Sequence, residues 1–216
     1  MFHHELILKG EKLLLNQKKS IFWYNQNMLI VADLHLGKAV HFRKAGIAAP
    51  AQTNDQTLNN LASLIDYYQV SSVLILGDLF HSRVNSDWQK FINWKSNFQQ
   101  VNFILVKGNH DLLSTVDYQR SNLRINDKLV LNPFLFIHDS SELSVNDSEK
   151  VVMSGHIHPA VKLSGKGRQK ITLSCFLLKK NNLILPAFGS FTGTYKIPKS
   201  RNNRIFAITD ESVIEI

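Results

Sequence analysis

The apolar positions in the first half of the chain cluster into short runs that each end at a polar residue. Residues 21–33 predict two short strands around Asn25-Gln26-Asn27, and the second run, residues 28–32, is continuously apolar. The runs at 71–78 and 101–106 have the same character. Continuous apolar runs of this length are typical of strands that are buried on both faces of a sheet.

Two segments between these strands follow a helical periodicity instead. From Thr53 to Gln69, apolar residues recur at intervals of three and four, which indicates an amphipathic helix. A second apolar stripe includes Trp88, Phe91 and Phe98, and Ser86 before it is a plausible N-cap. The first half of the chain therefore predicts the order β-α-β-α-β.

After about residue 129 the pattern indicates mainly strands. The apolar segments are residues 129–131, 134–139 and 151–156, a hairpin over 171–186 with Asn181-Asn182 at its turn, and 204–209. We find no repeat, low-complexity tract or long linker. We therefore predict one composite α/β sandwich domain over residues 1–216.

Composition agrees with an ordinary globular protein. The 216 residues are 44% hydrophobic and 19% charged, with 10 Gly and 5 Pro. The single cysteine, Cys175, excludes an internal disulfide and suits a reducing compartment. Charged residues interrupt the first fifteen positions, and apolar runs elsewhere fall short of the roughly 20 residues of a membrane span. We expect a cytoplasmic protein without a membrane partner, in which His3 and His4 are exposed and precede the first element.

Positive charge is concentrated near the C-terminus. The formal net charge is +8, from 25 Lys and Arg against 17 Asp and Glu. One segment without an acidic residue contains ten basic residues: Lys162, Lys166, Arg168, Lys170, Lys179, Lys180, Lys196, Lys199, Arg201 and Arg204. Such a run is often only a solvated face, but it also favours binding to the phosphates of a polyanion.

The candidate chemistry lies at the ends of the apolar strands. Acidic, amide and imidazole residues that follow these strands are Asp33, His35, Asp78, Asn109, His138, His156 and His158. The carboxyl ends of strands converge on the ligand crevice of an open α/β sheet. Residues two apart, as in Asp-x-His and His-x-His, project from the same face of an extended segment. Carboxylate, amide and imidazole ligands without a thiolate suit two divalent cations such as Mn²⁺, Fe²⁺ or Zn²⁺.

The ordered motifs Asp-x-His, Gly-Asp-x-x-His, Gly-Asn-His-Asp, His and Gly-His-x-His resemble the signature of the calcineurin-like metallophosphoesterases. The stretches around them narrow the resemblance to the bacterial ligase-associated DNA damage response endonucleases, the PdeM-type branch. These stretches are residues 32–38, 42–46, 77–83, 155–159, 174–176 and 185–193. The resemblance implies a sandwich of two mixed β-sheets flanked by helices.

The resemblance also implies a role for each motif residue. Asp78 would bridge two divalent cations, which we expect to be Mn²⁺. One cation would be held by Asp33, His35 and His158, and the other by Asn109, His138 and His156. His110 would bind the scissile phosphate with Asp111 orienting it, and His81 would be a second catalytic histidine.

Three basic residues lie just beyond the motifs, at Lys38, Arg43 and Arg83. They are candidates for contacts to flanking phosphates, although a solvated loop charge is an equally good interpretation of each. His41 is likewise either a loop residue or a substrate contact.

The expected function is metal-dependent hydrolysis of a phosphodiester bond in DNA, as a repair nuclease. Two cations about 3.5–4 Å apart would hold the phosphate oxygens and favour ionisation of a shared water, which would attack phosphorus in line. The alternatives are a phosphodiesterase of small nucleotides and a non-enzymatic scaffold. The family resemblance implies a DNA ligase, a helicase and a second nuclease as partners.

Overall fold

A computed structural model describes residues 3–44, 46, 48, 53–80, 86–112, 118, 121–143, 150–165, 167 and 169–216. These residues form two mixed β-sheets and a small number of helices. The predicted α/β class with two mixed sheets is confirmed. No helix in this described part of the chain is long and apolar enough to cross a membrane.

The first sheet has seven strands in sequence order. They are β1 (His3–Leu8), β2 (Glu11–Asn16), β3 (Ser20–Trp23), β4 (Met28–Ala32), β5 (Ser72–Leu76), β6 (Asn102–Val106) and β7 (Arg124–Asn126). Strands β1 to β4 form an antiparallel meander, and β4 to β7 are parallel. Every residue of β4 and β5 is buried, as their continuously apolar sequences predict.

The second sheet has nine strands in the order β14-β11-β12-β13-β10-β9-β8, with β15 beside β12 and β16 beside β15. The strands are β8 (Leu129–Leu131), β9 (Phe134–Phe136), β10 (Val151–Ser154), β11 (Pro159–Ser164), β12 (Lys170–Lys179), β13 (Asn182–Ile184), β14 (Tyr195–Lys196), β15 (Asn203–Ile208) and β16 (Val213–Glu215). Parallel pairs join β9, β10 and β13, and also β11 and β14.

The α-helices are α1 (Lys38–Lys44), α2 (Thr53–Tyr68) and α3 (Ser86–Lys95). The buried stripe of α2, which includes Leu61 and Ile65, packs with Val31 and Ile75 of the first sheet. The helix α3 contributes to the same apolar cluster. Ser86 is the first residue of α3, and Phe98 packs against this cluster although it lies beyond the end of the helix.

The main core lies between the two sheets. Trp23 from the first sheet meets Phe134 from the second edge-to-face, with ring centroids 4.9 Å apart. The indole nitrogen of Trp23 donates to Glu11 Oε2 at 2.7 Å, so burial leaves no unpaired donor there. A smaller cluster on the second sheet contains Cys175, and burial raises the pKa of its thiol to about 12.

The N-terminus differs from the expectation. His3 and His4 belong to β1, which pairs with β2, and the His4 ring lies 5.0 Å from that of Phe206. Charged residues interrupt the apolar pattern of this hairpin. Two of them form an ion pair across it, with Lys12 Nζ 2.6 Å from Glu5 Oε2. The predicted Asn181-Asn182 turn is also shifted by one position, to Lys180 and Asn181.

Replacing Phe134 with alanine is expected to lower the free energy of unfolding by about 3–5 kcal/mol, because the change leaves a cavity between the sheets. Urea unfolding measures this loss. The control Val130→Ala alters a side chain that is 46% exposed, and we expect a change within about 0.5 kcal/mol. Equal losses in the two variants would contradict the assigned core.

Candidate metal centre

The parallel strands bring three of the polar motifs to one edge of the first sheet. Ala32 pairs with Leu76, and Leu76 with Val106, so these strands end level with one another. Asp33 directly follows β4, Asp78 follows β5 after one glycine, and the Gly-Asn-His-Asp motif follows β6. In the second sheet, His138 and His156 follow the parallel strands β9 and β10.

Five of these motif residues adopt the left-handed backbone conformation. Their φ angles are 54° at Asp33, 48° at His35, 48° at Asp78, 70° at His156 and 50° at His158. This conformation costs a non-glycine residue roughly 1–2 kcal/mol. Backbone strain of this kind clusters at functional sites, where the surrounding structure imposes it.

The first donor group consists of Asp33, His35 and His158, whose ligand atoms all lie within 4.8 Å of one another. His158 Nε2 is 3.3 Å from Asp33 Oδ1 and 3.3 Å from His35 Nε2. His158 Nδ1 lies 3.0 Å from the carbonyl oxygen of Gly193. Because a carbonyl can only accept, Nδ1 donates to it and Nε2 of the neutral ring keeps its lone pair for a cation.

The second donor group consists of Asn109, His138 and His156. His138 Nε2 lies 3.1 Å from Asn109 Oδ1 and 3.2 Å from His156 Nδ1. His138 Nδ1 is 3.0 Å from the carbonyl oxygen of Leu76, which makes its Nε2 an acceptor in the neutral ring. The lone pairs of His138 Nε2 and Asn109 Oδ1 therefore face each other, an arrangement that a cation between them would stabilise.

The Asp78 carboxylate lies between the two groups. Its Oδ1 is 3.6 Å from His138 Nε2, and its Oδ2 is 3.9 Å from His35 Nε2. The Oδ1 atom also accepts a hydrogen bond from the backbone N–H of His110 at 2.9 Å. The two oxygens of one buried carboxylate thus face different donor groups.

Asp33 also connects the two groups. Its Oδ2 accepts a hydrogen bond from the backbone N–H of His156 at 3.0 Å. Its Oδ1 is buried and accepts no hydrogen bond from the described residues, although it lies 3.9 Å from His138 Nδ1. Burial of a carboxylate oxygen that accepts no hydrogen bond lowers the stability of the fold unless a cation compensates for it.

Two glycines of the motifs allow this close approach. A Cβ atom on Gly77 would collide with the ring of His138, and one on Gly108 would collide with Asp78 Oδ1. The glycines that precede Asp78 and Asn109 therefore provide space for ligand side chains from neighbouring strands.

Asp111 holds the loops after β5 and β6 together. Its Oδ1 accepts hydrogen bonds from the N–H groups of Leu79 at 2.9 Å and Phe80 at 3.3 Å, and its Oδ2 accepts from Gly108 at 2.9 Å. Burial raises the pKa of Asp111 to about 6, although the hydrogen bonds from Gly108 and Phe80 oppose that shift. Asp111 accordingly fixes the backbone of the loop that carries Asn109 and His110.

His110 lies beside the first donor group, and its ring centroid is 5.9 Å from that of His35, nearly perpendicular to it. The side chain is partly exposed, unlike that of Asp111. His110 thus keeps part of its side chain exposed beside the first donor group, while its backbone is tied to Asp78.

The predicted substrate contacts are distributed unevenly. Lys38, at the start of α1, is partly buried; burial lowers the pKa of its ammonium group, and the carboxylates of Asp78 and Asp33 oppose this shift. Arg43 is exposed on the same helix. His81 and Arg83 lie outside the described residues, as does the side chain of His41.

Two further contacts at the site involve residues outside the predicted set of ligands. Asp139 Oδ2 lies 3.7 Å from His156 Nε2, and its Oδ1 accepts from the backbone N–H of Ser141 at 2.8 Å. Burial alone would raise the pKa of Asp139, but the hydrogen bonds from Ser141 and the nearby histidines lower it overall. In the sequence, only the position of Asp139 next to His138 indicates this contact, and an acidic residue in a solvated turn would give the same pattern.

The second contact comes from the loop after β13. The backbone N–H of Gly189 donates to the Asp33 carbonyl oxygen at 3.1 Å, and that of Phe188 donates to Ala32 at 2.8 Å. This loop also supplies the Gly193 carbonyl that contacts His158. The second sheet thus supports the end of β4 through backbone hydrogen bonds.

The centre therefore contains two carboxylates, four imidazoles and one amide oxygen in two adjoining donor groups. Mixed nitrogen and oxygen donors of this kind suit first-row divalent metals, whereas Mg²⁺ and Ca²⁺ favour oxygen ligands alone. The residues present fit a pair of transition-metal ions.

Comparisons with known proteins agree with this chemistry. The profile of the calcineurin-like phosphoesterase family matches residues 27–157. The crystal structure of Pseudomonas putida nuclease MPE is similar over 99% of this chain and 100% of that chain, with 28% identity and a TM-score of 0.82. Yfce, a phosphoesterase from E. coli, aligns over 88% of this chain and 97% of its own, with 16% identity and a TM-score of 0.45. Among curated proteins, none matches this sequence.

The family profile spans more than half of the chain and includes the ends of β4, β5, β6, β9 and β10, where both donor groups are assembled. The chain belongs to the calcineurin-like phosphoesterase family and is a hydrolase of that class.

Proposed function

We propose that this protein is a binuclear-metal phosphodiesterase that cleaves DNA. The observation that carries the proposal is the position of Asp78, whose two oxygens face His138 and His35 of different donor groups. A carboxylate in this position would bridge two cations and reduce the repulsion between them.

The distances between ligand atoms support two sets of proposed ligands. Asp33, His35 and His158 would hold one cation, and Asn109, His138 and His156 the other. When bound, the pair of cations would supply Lewis acidity toward a phosphate oxygen and would lower the pKa of water at the site. The high proportion of imidazole supports Mn²⁺ or another first-row metal as the cofactor, and we propose Mn²⁺.

His110 and Lys38 are the residues that we expect to act on the substrate. The His110 ring is partly exposed beside the first donor group, where it would donate to a phosphoryl oxygen or protonate the leaving alkoxide. Lys38 lies close enough to Asp33 and Asp78 for their charges to affect its pKa, and its ammonium group would attract the phosphate. We propose His81, Arg43 and Arg83 as further contacts on the strength of their motifs alone.

The choice of DNA as the substrate rests on charge and on similarity. The net charge of +8 favours a polyanion over a small diester. Pseudomonas putida nuclease MPE, which is similar over 99% of this chain, is described as a nuclease, as expected for the ligase-associated branch. A role in DNA repair with ligase, helicase and nuclease partners in the cytoplasm is part of this proposal and stays a prediction.

Asp78→Asn is expected to abolish phosphodiesterase activity and to reduce the bound metal, because the amide cannot bridge two cations with negative charge. Elemental analysis after Mn²⁺ reconstitution and hydrolysis of a chromogenic diester measure the two effects. The control Asp127→Asn removes a carboxylate that is 84% exposed and paired with Lys107, and it should behave as the wild type. Full metal content in the Asp78 variant would contradict the bridging role.

His110→Ala is expected to lower kcat for the diester by about 10²–10⁴-fold, because it removes a proton donor while both donor groups stay intact. Metal content should stay close to that of the wild type, as checked by the same elemental analysis. The variant His3→Ala, which removes an exposed histidine from β1, is the control. Normal turnover by the His110 variant would exclude the proposed role.

A DNA substrate predicts a steep dependence of binding on salt. For single-stranded DNA, log K should fall against log salt with a slope of about −0.7 for each phosphate contacted. Hydrolysis of the chromogenic diester should change little over the same range, because it presents a single phosphate. If the protein hydrolyses the diester but neither binds nor cleaves DNA, the substrate is a small molecule and the DNA assignment is wrong.

A further inference from the structure

Strands β11, β12 and β14 carry a polar face. We infer that this face is the surface along which one DNA strand approaches the metal centre. The inference rests on the proposed DNA substrate and names the part of the molecule that binds the DNA backbone.

Strand β11 begins directly after the metal centre. His158, a ligand candidate, directly precedes β11, and residues two apart along a strand project from the same side. Ala160, Lys162 and Ser164 therefore share one side of β11, while His158, with φ of 50°, lies just before the strand. Because four residues of extended chain span at most about 14 Å, Lys162 lies within that distance of His158.

The strand register adds two more lysines to this face. Lys170 on β12 pairs with Ser164, and Lys196 on β14 pairs with Ala160. Side chains of directly paired residues lie on the same side of a sheet. Lys162, Lys170 and Lys196 are all exposed. We call these three residues the lysine face.

Strand β14 is anchored to the centre by backbone hydrogen bonds. The N–H of Tyr195 donates to the carbonyl oxygen of His158 at 2.9 Å, and the N–H of Ile197 donates to that of Ala160 at 2.7 Å. Lys196, between these two bonds, is therefore held at a set distance from the proposed ligand His158.

Within the described part of the chain, no carboxylate neutralises the charges of the lysine face. No carboxylate of the described residues lies within 4 Å of the three ammonium groups, whereas Lys12, Lys107 and Arg204 each pair with a carboxylate. The sequence contains no acidic residue from position 151 to 209. An unpaired row of ammonium groups attracts a polyanion.

The opposite side of the same strands is apolar, which argues against a random distribution of surface charge. Val161 and Cys175 are fully buried on that side, and Leu163 and Leu173 pack against their cluster. Near the hairpin that joins β11 to β12, the alternation thus separates Lys162 and Lys170 from this cluster, whereas Ala160 and Phe176, on the lysine side of these strands, are buried.

The test is a triple variant, Lys162→Gln with Lys170→Gln and Lys196→Gln, assayed in the Mn²⁺-reconstituted full chain. Its matched control is Lys9→Gln with Lys179→Gln and Lys180→Gln. Those lysines are exposed at hairpin turns, at the end of the strands away from the metal centre, and their loss changes the net charge equally. Affinity for a fluorescent single-stranded oligonucleotide is measured against salt, together with hydrolysis of the chromogenic diester.

Loss of three phosphate contacts should reduce the slope of log K against log salt by about 2, and weaken DNA binding about ten- to a hundredfold at 0.1 M salt. Diester hydrolysis should be unchanged in both variants, which shows that the metal centre is intact. The control should bind DNA with the wild-type slope.

Two results would overturn the inference. If both triple variants lose the same affinity, net charge alone explains DNA binding and the lysine face has no special role. If the lysine-face variant keeps the wild-type slope, another surface binds the DNA, while DNA cleavage by the wild type would leave the proposed function standing. Failure of the wild type to bind DNA, with diester hydrolysis present, would instead refute the DNA substrate itself.

Discussion

The structure depends on keeping two carboxylates, Asp33 and Asp78, buried beside each other at the ends of adjacent strands. Both side chains are nearly inaccessible to solvent, and each lies within 4.8 Å of His138. Two negative charges that are buried next to each other destabilise a fold unless hydrogen bonds and cations compensate for them. Backbone N–H groups of His156 and His110 supply part of that compensation, and imidazole nitrogens surround the space where cations would supply the rest.

Other features of the fold follow from this constraint. Five of the seven residues that carry the ligand side chains adopt left-handed conformations, and Gly77 and Gly108 leave room for His138 and Asp78. The inter-sheet core that joins Trp23 to Phe134 brings the ends of both sheets to the same place. Strain at the centre is thus supported by apolar packing elsewhere, as is usual where a fold is shaped around chemistry.

Much of this organisation can be predicted from the sequence. The strands around the first motifs and the helix from Thr53 have strong periodicity, and the structure has them almost where the pattern places them. The β1–β2 hairpin was missed because Glu5 and Lys12 stabilise it across the strands while interrupting the apolar pattern. The convergence of the donor residues followed from the rule for parallel strand ends. In contrast, the contacts of Asp111 and Asp139 depend on loop geometry, which sequence spacing does not encode.

The single thiol of the chain has a practical consequence. Cys175 is fully buried, and burial keeps it protonated at neutral pH, so that it would react slowly with alkylating reagents and oxidants. A cysteine introduced on the surface would then be the preferred target of a maleimide dye. A single surface cysteine could therefore be labelled with a fluorescent dye without first replacing Cys175.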